Sequence, residues 1–278
     1  MISVLILTKN EAQDLPGCLA SVAWSDDVQV FDSFSTDQTV AIAQAAGANA
    51  VQRRFDDYAA QRNAALQSLP FKHAWVLILD ADERCTPALA EELRRFVVSA
   101  STLTVAARMR RRDFLYGTWL KHAQLTPFYL RLVRPKSVHY EREINEMLVP
   151  QGEVADLTQS FDHYPFSKGI AHWLEKHNAY SSMEARRALA ERKTTGMFSL
   201  KFALWHADLQ VRRFHQKGLF YKLPGRPLLK FFYMLLWRRA FLDGRAGITY
   251  AVLQSIYEYF IVLKERELTA AQNLKSLP

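Results

Sequence analysis

Two carboxylates stand one residue apart directly after an apolar, strand-like run of this chain. Residues 75–79 are predicted to form a buried strand, and Asp80 and Asp82 follow it. Side chains at positions i and i+2 of an extended segment point the same way, so the two acids could converge on one hard cation. A cation such as Mg²⁺ or Mn²⁺ binds through one or two carboxylates and completes its shell with water and substrate phosphates. The spacing therefore predicts a ligand site at the end of this strand.

The segments that must position these acids alternate between predicted strands and predicted helices. The sequence predicts strands at residues 1–7, 28–31 and 48–53 and helices at residues 38–46 and 57–69. One more helix is expected to open at Leu15, with Asp14 as its N-cap and Pro16 in its first turn. Polar residues follow three of the four strands. This pattern indicates an α/β fold with a mostly parallel central sheet, flanking helices and one ligand-binding edge.

Taken one at a time, the polar residues at this edge have ordinary structural explanations. Asp32 could cap the next helix, Glu11 could interact with a helix dipole, and Arg62 could be a solvated helix residue. Four short motifs nevertheless follow one another in a fixed order. They are TKNE at residues 8–11, DSFSTD at 32–37, QRN at 61–63 and DADE at 80–83. This series resembles the inverting glycosyltransferases of family two, which have the Rossmann-like GT-A fold.

The resemblance implies roles for individual residues. Nucleotide-sugar contacts are implied for Thr8, Asn10, Glu11, Asp32, Arg62 and Asp80. Within that set, Glu11 and Asp32 would contact the nucleoside, and Asp80 would approach the ribose and the metal. Asp82, together with Asp80, would hold Mg²⁺ or Mn²⁺. The chain departs from the family at Phe34, where a glycine or another small residue is usual, and this change is expected to reshape the turn.

The middle of the chain resembles one branch of that family, the bacterial lipopolysaccharide-core β-1,4-glucosyltransferases. The matching steps are Gly117-x-Trp119, Arg131-Leu132, Ile144-Asn145-Glu146 and His163-Tyr164. The resemblance makes Glu146 the candidate general base, with Glu141 and Glu143 as alternatives. A positioned base contributes about 10²–10⁴-fold by taking the proton of the attacking hydroxyl. Asn145 stands where the branch usually has His. His163 could help to hold metal or acceptor, or could be structural.

Charge and apolar residues are unevenly distributed. Residues 1–100 carry eight Lys and Arg against thirteen Asp and Glu, whereas residues 186–245 carry fourteen against three and are rich in aromatic residues. The basic, aromatic region predicts helices that lie on an anionic membrane surface, although a solvated basic face over an aromatic core is also open. No groove-reading motif for nucleic acid occurs, so nucleic acid is not expected as a partner. Residues 248–263 are too short to span a bilayer and contain Glu258, so peripheral attachment is expected.

These observations lead to one overall expectation. Residues 1–165 would form the nucleotide-sugar-binding and catalytic domain, and residues 166–278 a helical, membrane-associating region. The enzyme would move a hexose from a nucleoside-diphosphate sugar, preferably UDP-linked, to a lipid-linked or lipopolysaccharide-core glycan. The two cysteines are not expected to form a disulfide framework, and the sequence does not start with the pattern of a signal peptide. Both observations suggest a location at the cytoplasmic, inner face of a bacterial inner membrane.

Two alternatives remain open. A sugar-1-phosphate nucleotidyltransferase shares the nucleotide-binding architecture and the use of metal, but it needs a glycine-rich loop after the first strand, and residues 7–11 contain no glycine. A non-catalytic, membrane-associated binding protein on a decayed transferase scaffold would be expected to lose the paired aspartates or the base first. Asp80, Asp82 and Glu146 are all present.

Overall fold

The computed structural model describes residues 1–124, 126, 128–141, 147–194, 198–221 and 223–275. The chain divides into two compact units, Met1–Trp119 with Leu125–Ser167, and Leu120–Gln124 with Lys168–Pro278. We call the first the sheet unit and the second the helical unit. The sheet unit contains all four motifs of residues 8–83.

Four parallel strands form the first half of the sheet. The strands are β1 (Ser3–Thr8), β2 (Val28–Asp32), β3 (Asn49–Gln52) and β4 (Val76–Asp80), connected by the helices α1 (Leu15–Ser21), α2 (Thr39–Ala45) and α3 (Tyr58–Ser68). Strand β1 lies between β2 and β4, with Thr8 opposite Asp32 and Leu7 opposite Asp80. The carboxyl ends of β1, β2 and β4 therefore meet at one edge, as the strand–helix alternation predicts.

The second half of the sheet is mixed. Its elements are β5 (Glu83–Arg84), α4 (Pro87–Ser99), β6 (Thr104–Leu115), β7 (Thr118–Trp119), β8 (Phe128–Val133) and β11 (Glu153–His163). The strand order is β3-β2-β1-β4-β8-β6-β11-β5, with β7 paired to β6. Strand β8 is antiparallel to both β4 and β6, and β11 is parallel to β6. A separate antiparallel pair consists of β9 (Val138–Glu141) and β10 (Met147–Pro150).

Both faces of the central sheet are covered by apolar side chains. Along β1, Val4 and Ile6 pack into one hydrophobic cluster and Leu5 into the cluster on the opposite face. All three are fully buried. Strands of a parallel sheet that are covered on both sides read as continuous apolar runs, and this explains the uninterrupted start of the sequence. The resulting rigid sheet fixes the strand ends that carry the polar motifs.

The helical unit consists of long and short helices. They are α5 (Gly169–Thr194), α6 (Leu200–Trp205), α7 (Leu209–Phe220), α8 (Arg226–Phe232) and α9 (Gly244–Lys275). Helix α9 packs against α5 and against α8. A π-helical turn, Tyr233–Trp237, extends α8 toward the chain that leads into α9.

One helical stretch differs from the sequence expectation. The segment Ala240–Gln272 is long and apolar enough to cross a membrane, as far as length and composition decide. Residues 248–263 alone are too short, but the helix extends beyond them in both directions, to Gly244 and Lys275. In addition, Glu258 is buried on the inner side of α9, so it does not interrupt the outer apolar face.

Candidate active site

Asp80 lies between two arginines at the end of β4. One carboxylate oxygen of Asp80 accepts a hydrogen bond from Arg62 at 2.8 Å, and the other accepts one from Arg131 at 3.0 Å. Arg131 also donates to Glu83 at 2.6 Å, and the second oxygen of Glu83 accepts the Asp80 amide at 3.0 Å. Both arginines and Glu83 are buried. The four side chains form one charge network that fixes the orientation of the Asp80 carboxylate.

This network shifts the pKa values of its two acids in opposite directions. Burial opposes charge on Asp80, but Arg62 and Arg131 outweigh it and hold the pKa of Asp80 well below its usual range. For Glu83, burial dominates over the attraction of Arg131, and the nearby Asp80 adds to it, so the pKa of Glu83 is raised. Asp80 is therefore a fixed anion at neutral pH.

Helix α3 delivers Arg62 to this network. Its N-cap is Asp57, whose side chain accepts a hydrogen bond from the Ala60 amide at 2.8 Å. One residue after Arg62, the amide group of Asn63 bonds both backbone groups of Tyr140 on β9, at 2.7 and 2.8 Å. The helix is thus held at its start and along its length, and Arg62 is buried rather than solvated.

Asp82 faces a histidine rather than the arginines. One oxygen of Asp82 lies 3.3 Å from Nε2 of His163, and Nδ1 of His163 contacts the buried carboxylate of Asp113. Burial alone would lower the pKa of His163, but Asp82 and the hydrogen bonds with both acids raise it to about 9. A carboxylate that holds one ring nitrogen orients the other toward its ligand. One carboxylate oxygen of Asp82 and Nε2 of His163 therefore face each other.

Asp82 and His163 suit a divalent cation that takes its remaining ligands from a substrate, provided that the cation displaces the Nε2 proton that the raised pKa of His163 retains at neutral pH. Among the described residues, no group of three or more His, Cys, Asp and Glu side chains is arranged to hold a metal by itself. Mg²⁺ commonly binds through one or two protein ligands together with phosphate oxygens and water. The orientation of His163 by Asp113 is the feature expected of a metal-binding histidine. The residues present therefore fit such an ion.

Asp32 anchors the other side of the edge. Its carboxylate accepts hydrogen bonds from Thr8 at 2.9 Å, from the Ser35 amide at 2.8 Å and from Gln52 at 2.9 Å. The residue is completely buried. Burial opposes its ionisation, but the bonds from Gln52, Ser35 and Thr8 lower the pKa of Asp32. None of these donors belongs to α2, so Asp32 does not cap the helix that follows it and instead connects β1, β2 and β3.

The loops after β1 and β2 are connected to each other. Asn10 donates its amide to Ser35 at 2.7 Å and accepts the Thr36 amide on its side chain at 2.8 Å. The Glu11 amide donates to Thr39 at 2.8 Å. Asn10 has a φ of 55° and Phe34 a φ of 56°, the left-handed region that favours glycine. The turn thus retains a glycine-like backbone around Phe34, whose ring is largely exposed.

The predicted site residues divide into those that lie at the carboxyl edge of the sheet and those for which the structure gives no such place. The structure brings Thr8, Asn10, Glu11, Asp32, Arg62, Asp80 and Asp82 to the carboxyl edge of the sheet unit. Glu146, Asn145 and Glu143 lie outside the described residues. Glu141 is exposed and pairs with His139 at 2.9 Å.

The sequence does not predict two residues, Arg131 and Asp113, as members of the site. The sequence identifies Arg131 only as part of a motif and does not single out Asp113. A charged residue within the apolar strand at residues 128–133 is the signal for Arg131, since such a residue needs a buried partner. Asp113 follows three arginines and carries no comparable signal.

Comparisons with known proteins agree with this arrangement. The pattern of glycosyl transferase family 2 matches residues 3–149. The lipopolysaccharide core biosynthesis glycosyltransferase LpsC of Rhizobium meliloti is 28% identical over 275 residues, which cover 93% of this chain and 92% of that protein. An uncharacterized glycosyltransferase of Rickettsia felis is 29% identical over 212 residues, covering 72% of this chain and 74% of that protein.

Solved structures are more distant. TarS 1–349 of S. aureus aligns with a TM-score of 0.42 and 14% identity, over 93% of this chain and 90% of that one. Glucosyl-3-phosphoglycerate synthase of Mycobacterium tuberculosis aligns with a TM-score of 0.35 and 21% identity over 40% of this chain, which spans 44% of that protein. The assignment rests on the sequence match, which covers more than half of the chain and the whole edge from Thr8 to Glu83. The chain belongs to glycosyl transferase family 2 and is a glycosyltransferase with a GT-A-like sheet unit.

Proposed function

We propose that this glycosyltransferase moves a hexose from a nucleoside-diphosphate sugar, a UDP-sugar by preference, to a lipid-linked or lipopolysaccharide-core glycan, with inversion at the anomeric carbon. The observation that carries the proposal is the meeting of Asp32, Asp80 and the Asp82–His163 pair at one sheet edge. The acceptor class is supported by the match to LpsC along 93% of the chain. Family membership argues against the nucleotidyltransferase alternative.

The donor would lie along the edge from β2 to β4. Asp32 is a buried anion whose hydrogen-bond partners hold it in place, and it would accept hydrogen bonds from the nucleoside. Thr8, Asn10 and Glu11 line the adjacent loop and would complete that contact. Arg62 and Asp80, which are hydrogen-bonded to each other, would lie between the nucleoside and the metal and contact the ribose and phosphates.

Asp82 and His163 would hold Mg²⁺ or Mn²⁺ together with the donor diphosphate. The bound cation would neutralise the charge that builds on the departing diphosphate. Asp80 was predicted as a second metal ligand, and both of its oxygens already bond arginines. We therefore assign direct contact to Asp82 and His163, and assign to Asp80 the task of fixing the nucleotide beside them.

Glu146 is the proposed general base. The acceptor hydroxyl is very weakly acidic, so its proton must leave as the oxygen attacks the anomeric carbon from the face opposite the diphosphate. Glu146 follows β9 and precedes β10, and β9 is tied to α3 through Asn63 and Tyr140. The choice of Glu146 rests on the match of Ile144-Asn145-Glu146 to the branch of the family that the sequence resembles.

Transfer by purified variants tests the proposal. Nucleotide release from UDP-sugars is measured with Mg²⁺ or Mn²⁺ and with glycolipid acceptors. Glu146→Gln should retain donor affinity and lose about 10²–10⁴-fold in transfer. Glu141→Gln, at an exposed carboxylate, is the matched control and should retain activity.

Two results would contradict parts of this account. Loss of donor binding in Glu146→Gln would make Glu146 a donor-site or structural residue instead of the base. Absence of hydrolysis and transfer with every metal, donor and acceptor would favour the alternative of a non-catalytic scaffold.

A further inference from the structure

Helix α9 exposes a row of apolar residues on its outer face, which is unusual for a surface helix in water. Ile248, Val252, Ile256, Tyr259 and Leu263 recur every three or four residues and are all exposed. Residues at this spacing lie on one helix face. The outer face of a helix in a water-soluble unit is normally polar, so this apolar face needs a partner.

The inner face of α9 contains two buried carboxylates among its apolar residues. Glu258 and Glu265 are buried there and pair with buried Arg226 of α8, at 2.8 and 3.0 Å. These ion pairs fix the rotation of α9 about its axis. If α9 left α8 to cross a bilayer by itself, both glutamates would lose Arg226 and enter hydrocarbon, which is costly.

A second apolar face lies beside the first. Leu228, Phe232, Leu236 and Trp237 are exposed on α8 and on the turn that follows it, and Trp237 is 79% exposed. The two faces are adjacent, because Leu228, Ile256 and Tyr259 line one cleft of about 910 Å³. Ser255 of α9 also donates a hydrogen bond to the Pro227 carbonyl at 2.8 Å. The two helices therefore present one continuous apolar surface.

Basic residues are close in sequence to the apolar residues of this surface. Lys230 is on α8, Arg238 and Arg239 follow the turn, Arg245 begins α9, and Arg266 stands just beyond Leu263. Apolar residues flanked by basic ones, with Trp and Tyr among them, suit the boundary between acyl chains and anionic headgroups. An apolar protein partner would not require this excess of positive charge.

We propose that the outer faces of α8 and α9 form a membrane-contact surface on which α9 lies flat in the plane of an anionic phospholipid bilayer. The proposal rests on the proposed function only in taking a membrane to be present where the acceptor is used. It assigns α9, the one described stretch that could span by length and composition, to an interfacial position.

Vesicle flotation of the full-length protein tests the surface. The protein should float with phosphatidylcholine vesicles that contain phosphatidylglycerol, much less with phosphatidylcholine alone, and less at high salt. Leu236→Glu and Val252→Glu should each weaken partitioning about tenfold or more, since each removes an exposed aliphatic side chain that would enter the bilayer and adds like charge to that of the lipid. Val98→Glu, at an exposed apolar residue of the sheet unit, is the matched control and should float normally.

Depth measurements distinguish an in-plane helix from a spanning one. Single fluorophores are attached at Ile248→Cys, Ile256→Cys and Leu263→Cys, and Cys18 and Cys85 are both buried and should react slowly. Lipid-borne quenchers should place all three labels at the same shallow depth, about 5–10 Å into the headgroup boundary. A label at residue 256 near the bilayer centre, with the other two at the surfaces, would overturn the proposal.

A second copy of the chain is the rival partner for the surface. A stable dimer in vesicle-free solution, dissociated by Val252→Glu and accompanied by no flotation, would also overturn the proposal. Hydrolysis of UDP-sugar is measured separately without vesicles. Normal hydrolysis without vesicle binding refutes the membrane surface alone, whereas vesicle binding without hydrolysis or transfer for any metal, donor and acceptor refutes the transferase mechanism alone.

Discussion

Arg131 determines how the charges of the site are balanced. Its guanidinium group contacts Asp80 and Glu83 at 3.0 and 2.6 Å, and Glu83 is completely buried. Removal of one partner leaves the other charge buried and uncompensated, which is more costly than the intact pair is stabilising.

The first prediction concerns this arginine. Arg131→Met should lower the free energy of unfolding by about 3–5 kcal/mol, measured by urea denaturation. Arg108→Met breaks an exposed pair with Asp156 and should change it by less than about 1 kcal/mol. If Arg131→Met were as stable as Arg108→Met, Glu83 would be neutral in the folded protein. In that case the double variant Arg131→Met with Glu83→Gln would be no more stable than Arg131→Met alone.

The second prediction concerns the backbone at Phe34. Because its φ of 56° is disfavoured for a side chain and its ring is exposed, Phe34→Gly should raise the free energy of unfolding by up to about 1 kcal/mol. The reciprocal change, Gly47→Ala, places a Cβ at a φ of 77° with no heavy atom within 4 Å. It should destabilise the protein by about 1–2 kcal/mol through the backbone alone. A large loss of thermal stability in Phe34→Gly would instead mean that the ring makes a stabilising contact.

At the scale of elements, helix α3 links the stability of the fold to the geometry of the site. Asp57 caps its start, Arg62 reaches Asp80, and Asn63 bonds the backbone of β9. A change at the cap therefore acts on the position of an arginine that is more than one turn away.

The third prediction follows from this linkage. Asp57→Ala should destabilise the protein by about 1 kcal/mol and also weaken nucleotide binding, measured by calorimetry with UDP. Thr86→Ala removes a comparable cap from α4, where Thr86 accepts the Leu89 amide, and should cost similar stability with unchanged nucleotide affinity. Equal nucleotide affinity in both variants would show that α3 does not control the position of Arg62.

Elements and motifs were predictable from the sequence to different degrees. Strand β1 and helix α3 follow from local apolar runs and caps, and both occur within about two residues of the predicted bounds. Asp14 does precede α1 as predicted, but its side chain accepts a hydrogen bond from Ser167 instead of capping the helix. The partner of Asp14 lies 153 positions away, and local propensity carries no information about it.

The arginine network shows the same limit. Arg131 reaches Asp80 only because β8 runs antiparallel beside β4, with Leu132 opposite Leu77. That pairing joins segments about fifty residues apart and depends on the strand order of the whole sheet. The meeting of His163 with Asp82 likewise requires β11 to pair with β5. The motifs predict which residues belong to the site, but which of these residues contact one another depends on the strand order of the sheet.

At the scale of the whole molecule, the two units differ in the charge they present and in their proposed roles. The sheet unit presents acids at the edge proposed to bind the nucleotide, and the helical unit presents basic and apolar residues on α8 and α9. The proposed transfer from a soluble donor to a membrane-bound acceptor would use surfaces of both kinds.

The central claim is that Asp82 helps to bind a metal–nucleotide complex at the sheet edge. The most direct measurement is the melting temperature with UDP, with and without Mn²⁺, in the wild type and in Asp82→Ala. At about 100 times Kd, binding adds about 2.7 kcal/mol, a rise of roughly 5 °C or more. Glu91→Ala, at an exposed acid on α4, is the control and should behave like the wild type. The account predicts a rise that requires Mn²⁺ in the wild type and is absent in Asp82→Ala; an equal rise in that variant, or none in folded wild type, would contradict it.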